Sequence, residues 1–416
     1  MLQTTKPKEH HRVPLNILKP KFIHQLLEPM EFHIDYTDNE LQNGFQFEIK
    51  IRDTNRNKVT PMFRLARPED AETIVSIVKE DYEGTYPYKE MEDPEEVRRM
   101  IESGRYKFVV FLDQKQEIIG TTCFVLNFEE KTGYTRTFVV KKEWLGILDA
   151  TKAYVACFSA ICHRYKDKIH LWWGEMRTAD AKSQYINRLC SFRPLGFLPN
   201  KDCFYNQIES DLLVASYNKE MFSHYRNTEI PQILPEILKC YSFSDSQYNL
   251  GVPIIRTPDI CFGFMKNQAN ELEDRLLVSR QADKFGYITY KLSLKDSDSY
   301  FQFLYTPRVN NFEKVKYSVD SLDELYLFVK TYYRIGQELG IRYMESYVSA
   351  YKPSHQKIFH LTGFTPRGYL PAWRYDTRTD TFHDYVLFNW YRGPLVKCEM
   401  ISEGSMLLKC LNIDNH

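Results

Sequence analysis

The sequence predicts an α/β fold, α+β in detail: two tandem modules, each a mixed, mostly antiparallel central sheet flanked by helices. Three observations predict it. First, "RPLGFLP" (193–199) and "HLTGFTPRGYLPAW" (360–373) both write Gly-Phe, one residue, then Pro. Second, "YKFVVFLDQKQEIIGTTCFVL" (106–126) and "RLLVSRQADKFGYITYKLSL" (275–294) share a strand–turn–strand pattern with one glycine each, Gly120 and Gly286. Third, the spacings agree: Gly120 precedes Gly196 by 76 residues and Gly286 precedes Gly363 by 77. Similar segments at a fixed spacing mark a repeat, and 416 residues leave room for two to three domains. The expected division is an N-terminal extension over 1–61, a first module over 62–218, a connecting segment over 219–254, a second module over 255–392 and a C-terminal tail over 393–416.

The first copy supplies the order of elements. A short strand at 63–66 precedes Pro68, Glu69 and Asp70, which suit the first turn of a helix, where a missing N–H is harmless and negative charge meets the dipole. Ala71, Ile74, Val75, Val78 and Tyr82 line one face of it. A second helix has Asp93 as cap, Pro94 as first residue, Glu96 to close a capping box and Gly104 as stop. The hairpin at 106–127 follows, then a strand at 134–142, a mostly apolar helix at 150–165, a strand at 169–178 and a helix at 180–190 leading to "LGFLP". Two last strands fit "CFYNQI" and "DLLVASY". The extension holds possible strands at 31–36 and 45–52, and Pro231 and Pro235 mark a helix start in the connection.

Composition narrows the function classes. Lys plus Arg and Asp plus Glu both number 55, which argues against a dedicated nucleic-acid binder. The longest apolar-rich stretch, "AYVACFSAIC" (153–162), is too short for a membrane helix of about 20 residues. The N-terminus has no apolar core of a secretory signal. Nine scattered cysteines without a CxxC pair read as free thiols in a reducing, cytoplasmic setting. His10, His11 and His355 lack ligand spacing, so no metal site is expected.

The order β-α-α-β-β-β-α-β-α-β-β resembles the GNAT N-acetyltransferase superfamily. "RLCSFRPLGFLP" and "YVSAYKPSHQKIFHLTGFTPRGY" are similar to the family's helix-then-Gly-Phe ending. On this resemblance each Gly-Phe ends a helix before the last two strands, Gly turning the chain where φ > 0 is needed. The resemblance implies acyl transfer from acetyl-coenzyme A, or a similar acyl-coenzyme A, to an amine. It implies a pyrophosphate loop of the form Gln/Arg-x-x-Gly-x-Gly/Ala, whose N–H groups cradle the pyrophosphate at a helix start. The matching stretch departs from that motif: Leu145-Gly146-Ile147-Leu148-Asp149-Ala150 keeps only the final Ala. The cofactor-binding candidates are Val139, Val140, Lys141, Gly146, Leu148, Asp149, Ala150 and Thr151, with Val139 or Val140 offering the backbone N–H that polarises a thioester carbonyl. The second copy departs further. Ser321 and Glu324 form a capping box with Asp320 and Asp323 beside it, so this module is expected to be structural or acceptor-shaping.

Among catalytic candidates, Glu175 lies where the resembled family places a carboxylate base, with Glu345 as its counterpart in the second copy. The family's acid, a Tyr four residues before the final Gly, is replaced by Phe192 and Phe359, leaving Tyr185 as substitute. The segment lining the acceptor side reads "DYEGTYPYKEMED" (81–93). Tyr82, Glu83, Tyr86 and Tyr88, with Glu90 nearby, suit a cationic small molecule or a lysine-like amine through carboxylates and aromatic faces. Two other functions fit the same features: a non-catalytic GNAT-like binding protein, and an aminoacyl-tRNA-dependent transferase resembling the Fem ligases, which also pair two such modules.

Overall fold

The computed structural model describes residues 11–13, 22, 25, 37–49 and 58–414. The strand expected at 31–36 lies outside these residues. The extension contributes a parallel pair, β1 (His11–Val13) and β2 (Phe47–Ile49), and helix α1 (Asp38–Asn43).

The first module runs β3 (Met62–Leu65), α2 (Ala71–Asp81), α3 (Pro94–Glu102), β4 (Tyr106–Leu112), β5 (Ile118–Asn127), β6 (Thr132–Val140), α4 (Ala150–Arg164), β7 (Leu171–Arg177), α5 (Lys182–Leu189), β8 (Arg193–Phe204) and β9 (Gln207–Tyr217). Period-two alternation decides which face each side chain joins. On β4, Val109 and Phe111 pack with α4, whereas Phe108, Val110 and Leu112 pack with α2 and α3. Asp93 caps α3 as expected, its Oδ1 accepting from the N–H groups of Glu95 and Glu96 at 3.0 and 3.3 Å.

The connection carries β10 (Gln232–Ile233), α6 (Leu238–Tyr248) and β11 (Ile254–Ile255). The second module runs α7 (Phe262–Leu272), β12 (Leu276–Ala282), β13 (Ile288–Leu294), β14 (Tyr300–Thr306), β15 (Asn311–Ser318), α8 (Leu322–Glu338), β16 (Tyr343–Ser349), α9 (Pro353–Leu361), β17 (Thr365–Asp376) and β18 (Thr381–Tyr391). The expected C-terminal tail holds helix α10 (Ser402–Cys410), which buries Leu407 and Leu408 in the first module's core. Among the described residues no helix is long and apolar enough to cross a membrane.

All but four of these strands join one sheet, in the order β12-β13-β14-β15-β16-β18-β17-β8-β9-β7-β6-β5-β4-β3. Read inward from either end, the two halves have the same strand order. The fold is therefore two tandem modules of one strand order sharing a continuous sheet.

The repeat is real, but its register differs from the expected one. The turn at 283–287, which contains Gly286, joins β12 to β13, the counterparts of β3 and β4. Gly120 lies inside β5, where an added Cβ would meet the Phe111 ring at 2.7 Å; Gly286 has φ +83 and open space around it. The two glycines serve different needs. The first module inserts α2 and α3 at the step that the second closes with this tight turn.

The Gly-Phe motif shifts likewise. Gly363, at φ +96, does end α9. Gly196 does not end α5: that turn is made by Ser191, at φ 65, and Gly196 lies within β8. The segment "CFYNQI" is the turn end of the β8–β9 hairpin, with Tyr205 and Asn206 both left-handed, as such hairpins require. The matching sequences are Phe192-x-Pro-x-Gly-Phe-Leu-Pro199 and Phe364-x-Pro-x-Gly-Tyr-Leu-Pro371. Gly196 pairs with Gly368, its own counterpart, in the antiparallel contact of β8 with β17. Equivalent residues facing each other define an internal twofold axis. A Cβ on Gly368 would lie 2.7 Å from both the Gly196 Cα and the Leu195 oxygen, which are backbone atoms that cannot turn aside. Gly368→Ala is expected to cost about 1–3 kcal/mol, measured as a lower urea midpoint.

Candidate active site

β6 and β7 pair in parallel only from Thr132 with Leu171 to Thr135 with Gly174. Beyond that point the two strands no longer pair with each other: they run on to Val140 and Arg177, each paired only with its outer neighbour, and splay apart. A cavity of about 320 Å³ occupies the opening. Arg136, Thr137 and Phe138 line it from β6, Glu175, Met176 and Arg177 from β7, and Ser183, Ile186 and Asn187 from α5. The second module splays after two pairs, Asn311 with Tyr343 and Phe312 with Met344. There the Tyr332 hydroxyl donates to the carbonyls of Glu345 and Phe312, at 3.1 and 3.4 Å, and bridges the two strands.

The Lys141 N–H donates to Ile119 of β5 at 2.9 Å. Antiparallel alternation then turns the Val139 N–H toward β5 as well, and leaves those of Phe138 and Val140 facing the opening. Of the two expected carbonyl donors, Val140 keeps a free direction and Val139 does not. Phe138 joins it.

The tyrosines of the acceptor segment reach the cavity: Tyr82, Tyr86 and Tyr88 all line it. Of its carboxylates only Asp81 does. Glu83 is exposed, 3.4 Å from Lys142. Glu90 is held by Arg136 at 2.5 Å and by the Tyr287 hydroxyl at 2.8 Å. Lys284 pairs with Glu96 at 2.5 Å, and Arg308 donates to the Gly84 carbonyl. Turns of the second module thus fix the first module's acceptor loop.

Besides Asp81, the cavity's carboxylates are Glu175, Asp180, Asp202 and Asp211. Asp202 and Asp211 sit on β8 and β9 in the floor. Asp211 is 1% exposed, and each residue has one buried carboxylate oxygen without a hydrogen-bond partner. Burial, reinforced by the carboxylates of Glu175 and Glu313 and opposed by Lys201, pushes Asp202 up to about 7. Burial and then Asp202 raise Asp211 well above the carboxylate range. Burial likewise raises Asp81.

Behind this floor lies a charge cluster built by both modules. Lys201, 2% exposed at its side chain, contacts Glu175 at 2.5 Å, Glu345 at 3.5 Å and Glu313 at 3.8 Å. Burial alone would lower the lysine; the three glutamates override it and raise it well above its ordinary value. A β8 bulge aims Lys201 here. Asn200 is left-handed, and Arg342 of the second module donates to the carbonyls of Asn200 and Lys201 at 2.9 and 3.0 Å. Tyr343 donates to Glu345 at 2.9 Å, and burial pushes Glu345 up to about 7. Leu171 and Tyr343 are matching first residues of β7 and β16, paired with Tyr217 and Tyr391. By that register Glu175 corresponds to Tyr347, not to Glu345.

Tyr185 is not brought to the cavity. It is 38% exposed, and its ring lies under Arg188. Phe192 is core, its ring tilted against that of Phe158. Counting four residues back from Ser191, the true turn, gives Asn187. Asn187 lines the cavity and accepts a 3.1 Å hydrogen bond from the Tyr154 hydroxyl of α4. Burial raises Tyr154 well above its ordinary value, so it stays protonated.

The stretch before α4 tests the fit of coenzyme A. Gly146 has φ +83 and open space, as a close backbone approach would need. Yet the N–H groups of Leu145, Ile147, Leu148, Asp149 and Ala150 donate to Lys142, Trp144, Trp144, Val59 and Leu148 carbonyls. The Asp149 side chain caps the helix, accepting from the Lys152 N–H at 3.1 Å. Ala150 reaches the cavity, whereas Val139, Val140, Lys141, Gly146, Leu148, Asp149 and Thr151 do not line it. The opening suits a thioester arm; the loop does not fit a pyrophosphate.

Lys201, Asp202 and Asp211 escape sequence reasoning, although "NKDCF" and "ESDLLVASY" carry a signal: charge inside strands otherwise apolar on both faces.

No family model and no curated protein matches the chain. Solved structures similar to it include a spermidine N-acetyltransferase from Vibrio cholerae in complex with CoA and spermine. That likeness is at 15% identity and TM-score 0.32, over 38% of this chain and 94% of that one. Another is a ribosomal-protein-S5-alanine acetyltransferase from Vibrio fischeri, at 15% identity and TM-score 0.32, over 41% and 98%.

Proposed function

We propose that the first module is an N-acyltransferase site whose acceptor is a primary amine carrying a second positive charge, with a thioester of the acyl-coenzyme A class as donor. One observation carries this reading: the opening between β6 and β7 ends on two buried, incompletely partnered aspartates. A buried carboxylate without a partner is costly and is retained where a ligand completes it. Asp211 and Asp81 hold the distal ammonium, with the faces of Tyr82 and Tyr86 beside it. Asp202, near neutrality, takes the proton that the reacting amine must lose. The N–H of Phe138, which lines the cavity, faces the place where carbonyl charge develops, and Tyr154, oriented by Asn187, has a proton to give. Glu175, tied to Lys201, holds the floor in place. The second module is structural: it fixes the acceptor loop and supplies Glu313 and Glu345.

The closed pyrophosphate loop favours a second reading, a non-catalytic binder of cationic amines. One experiment addresses both. Thermal shifts are recorded with mono-amines, diamines and anionic amino sugars of matched length, and thiol release from acetyl-coenzyme A is followed with each. A diamine at about 100 times its dissociation constant is expected to add roughly 2.7 kcal/mol, and Asp211→Asn to weaken it about tenfold or more. Preference for mono-amines sinks the acceptor assignment. Diamine binding without thiol release supports the non-catalytic reading.

A further inference from the structure

The donor seat of the first module is filled by the protein itself. Asp149 is 4% exposed at the start of α4. Its Oδ1 accepts from the Lys152 N–H, its Oδ2 is buried with no hydrogen-bond partner, and the Lys152 ammonium stands 3.6 Å away. Val59, from the segment before β3, forms a parallel bridge with Leu148. It donates to the Ile147 carbonyl and accepts from the Asp149 N–H, both at 3.0 Å. An anion arriving here meets a resident carboxylate, and the amides of Leu145 and of 147–150 are already engaged, so the usual attraction of a helix start for phosphate is reduced. The cavity wall leading from Ala150 past Phe138, Tyr154 and Ile186 is largely apolar and continues into the opening.

Resting on the acyl-transfer reading, we infer that this site recognises its donor by the thioester arm alone, and that Asp149 is the residue that denies a pyrophosphate any share of the binding. Coenzyme A thioesters then serve as donors without being distinguished from shorter ones.

The test compares pantetheine with coenzyme A by calorimetry, and S-acetyl-pantetheine with acetyl-coenzyme A by kcat/KM. Wild type is expected to separate the two by no more than about threefold. Asp149→Ser keeps an N-cap oxygen while removing the charge. It is expected to raise the preference for coenzyme A about tenfold or more and leave pantetheine unchanged. Asp149→Asn, closer in shape, is the second variant, and melting curves establish that both are folded. Coenzyme A held more than about 100-fold tighter than pantetheine by wild type overturns the inference, as does a ratio unmoved by both variants. Failure of both ligands to bind wild type and both variants overturns it too. Pantetheine binding without any transfer leaves the donor preference standing and overturns only the acyl-transfer reading.

Discussion

Lys201→Met is expected to destabilise the protein by about 3–5 kcal/mol, the cost of breaking a buried ion pair by removing one partner. The lysine is the shared cation of Glu175, Glu345 and Glu313, none more than 11% exposed at its side chain. Without it three carboxylates remain in a water-poor seam with no counter-charge, and Glu345, which burial pushes up to about 7 even beside the lysine, must stay charged there or take up a proton. Protonation is easy at pH 5 and costly at pH 8, so the loss grows as pH rises across that range. Chemical denaturation at the two pH values measures it. A loss below about 1 kcal/mol at pH 8, in the range of an exposed ion pair, would show that the cluster is hydrated and contributes little to joining the modules. Because the glutamates come from both modules, the unfolding transition of the variant is also expected to broaden, one half of the sheet loosening before the other.

Asp202→Asn is expected to have opposite effects on activity and stability. Acyl transfer should fall by about 10²–10⁴-fold, the usual worth of a general base. In wild type the rate should rise with pH through about 7, because the carboxylate must be ionised to accept the proton. Glu175→Gln is the informative comparison, since that residue is held by Lys201 and should alter acceptor KM more than kcat. Stability follows from the same displaced pKa. Asp202 is raised from 3.8 to about 7 on folding, so between those values the native state keeps a proton that the unfolded chain releases. Wild-type stability therefore falls as pH rises through that window. Asparagine removes the dependence, so the variant should gain on the order of a few kcal/mol at pH 8, fading toward pH 4. A variant that loses activity without this gain would mark Asp202 as a packing residue whose loss distorts the site. Such opposition is what a site held in an unfavourable electrostatic state produces.

Much of the architecture was legible because its causes are local. The alternation in "FVVFL" places β4 and assigns its two faces. Asp93, Pro94 and Gly104 set the bounds of α3 from one turn of backbone at each end. Ser321 and Glu324 write their capping box openly, and it forms, Ser321 accepting from Glu324 N–H at 3.2 Å and Glu324 accepting in return at 3.0 Å. The existence of a second copy was legible too, since both copies repeat an aromatic, a Pro, a Gly and a Pro at fixed intervals.

The register of that repeat was not, because a serine holds the left-handed position that a glycine fills in the other copy. With Ser191 unrecognised, the next glycine was taken as the helix end, and the expected acid fell on buried Phe192 and not on Asn187. The site depended on tertiary structure more fully. The sequence by itself determined that the strands and helices of one module would form twice, since propensity, capping and period act between neighbours in the chain. Only the folded sheet decided what stands where the strands part: a cavity between β6 and β7, and the Tyr332 hydroxyl bridging β15 to β16. It alone decided where the charge lies, since Lys201 meets Glu175, Glu313 and Glu345 across as many as 144 positions of sequence, from 201 to 345. Coulomb interaction and desolvation depend on distance and burial in space, and neither is set by spacing along the chain.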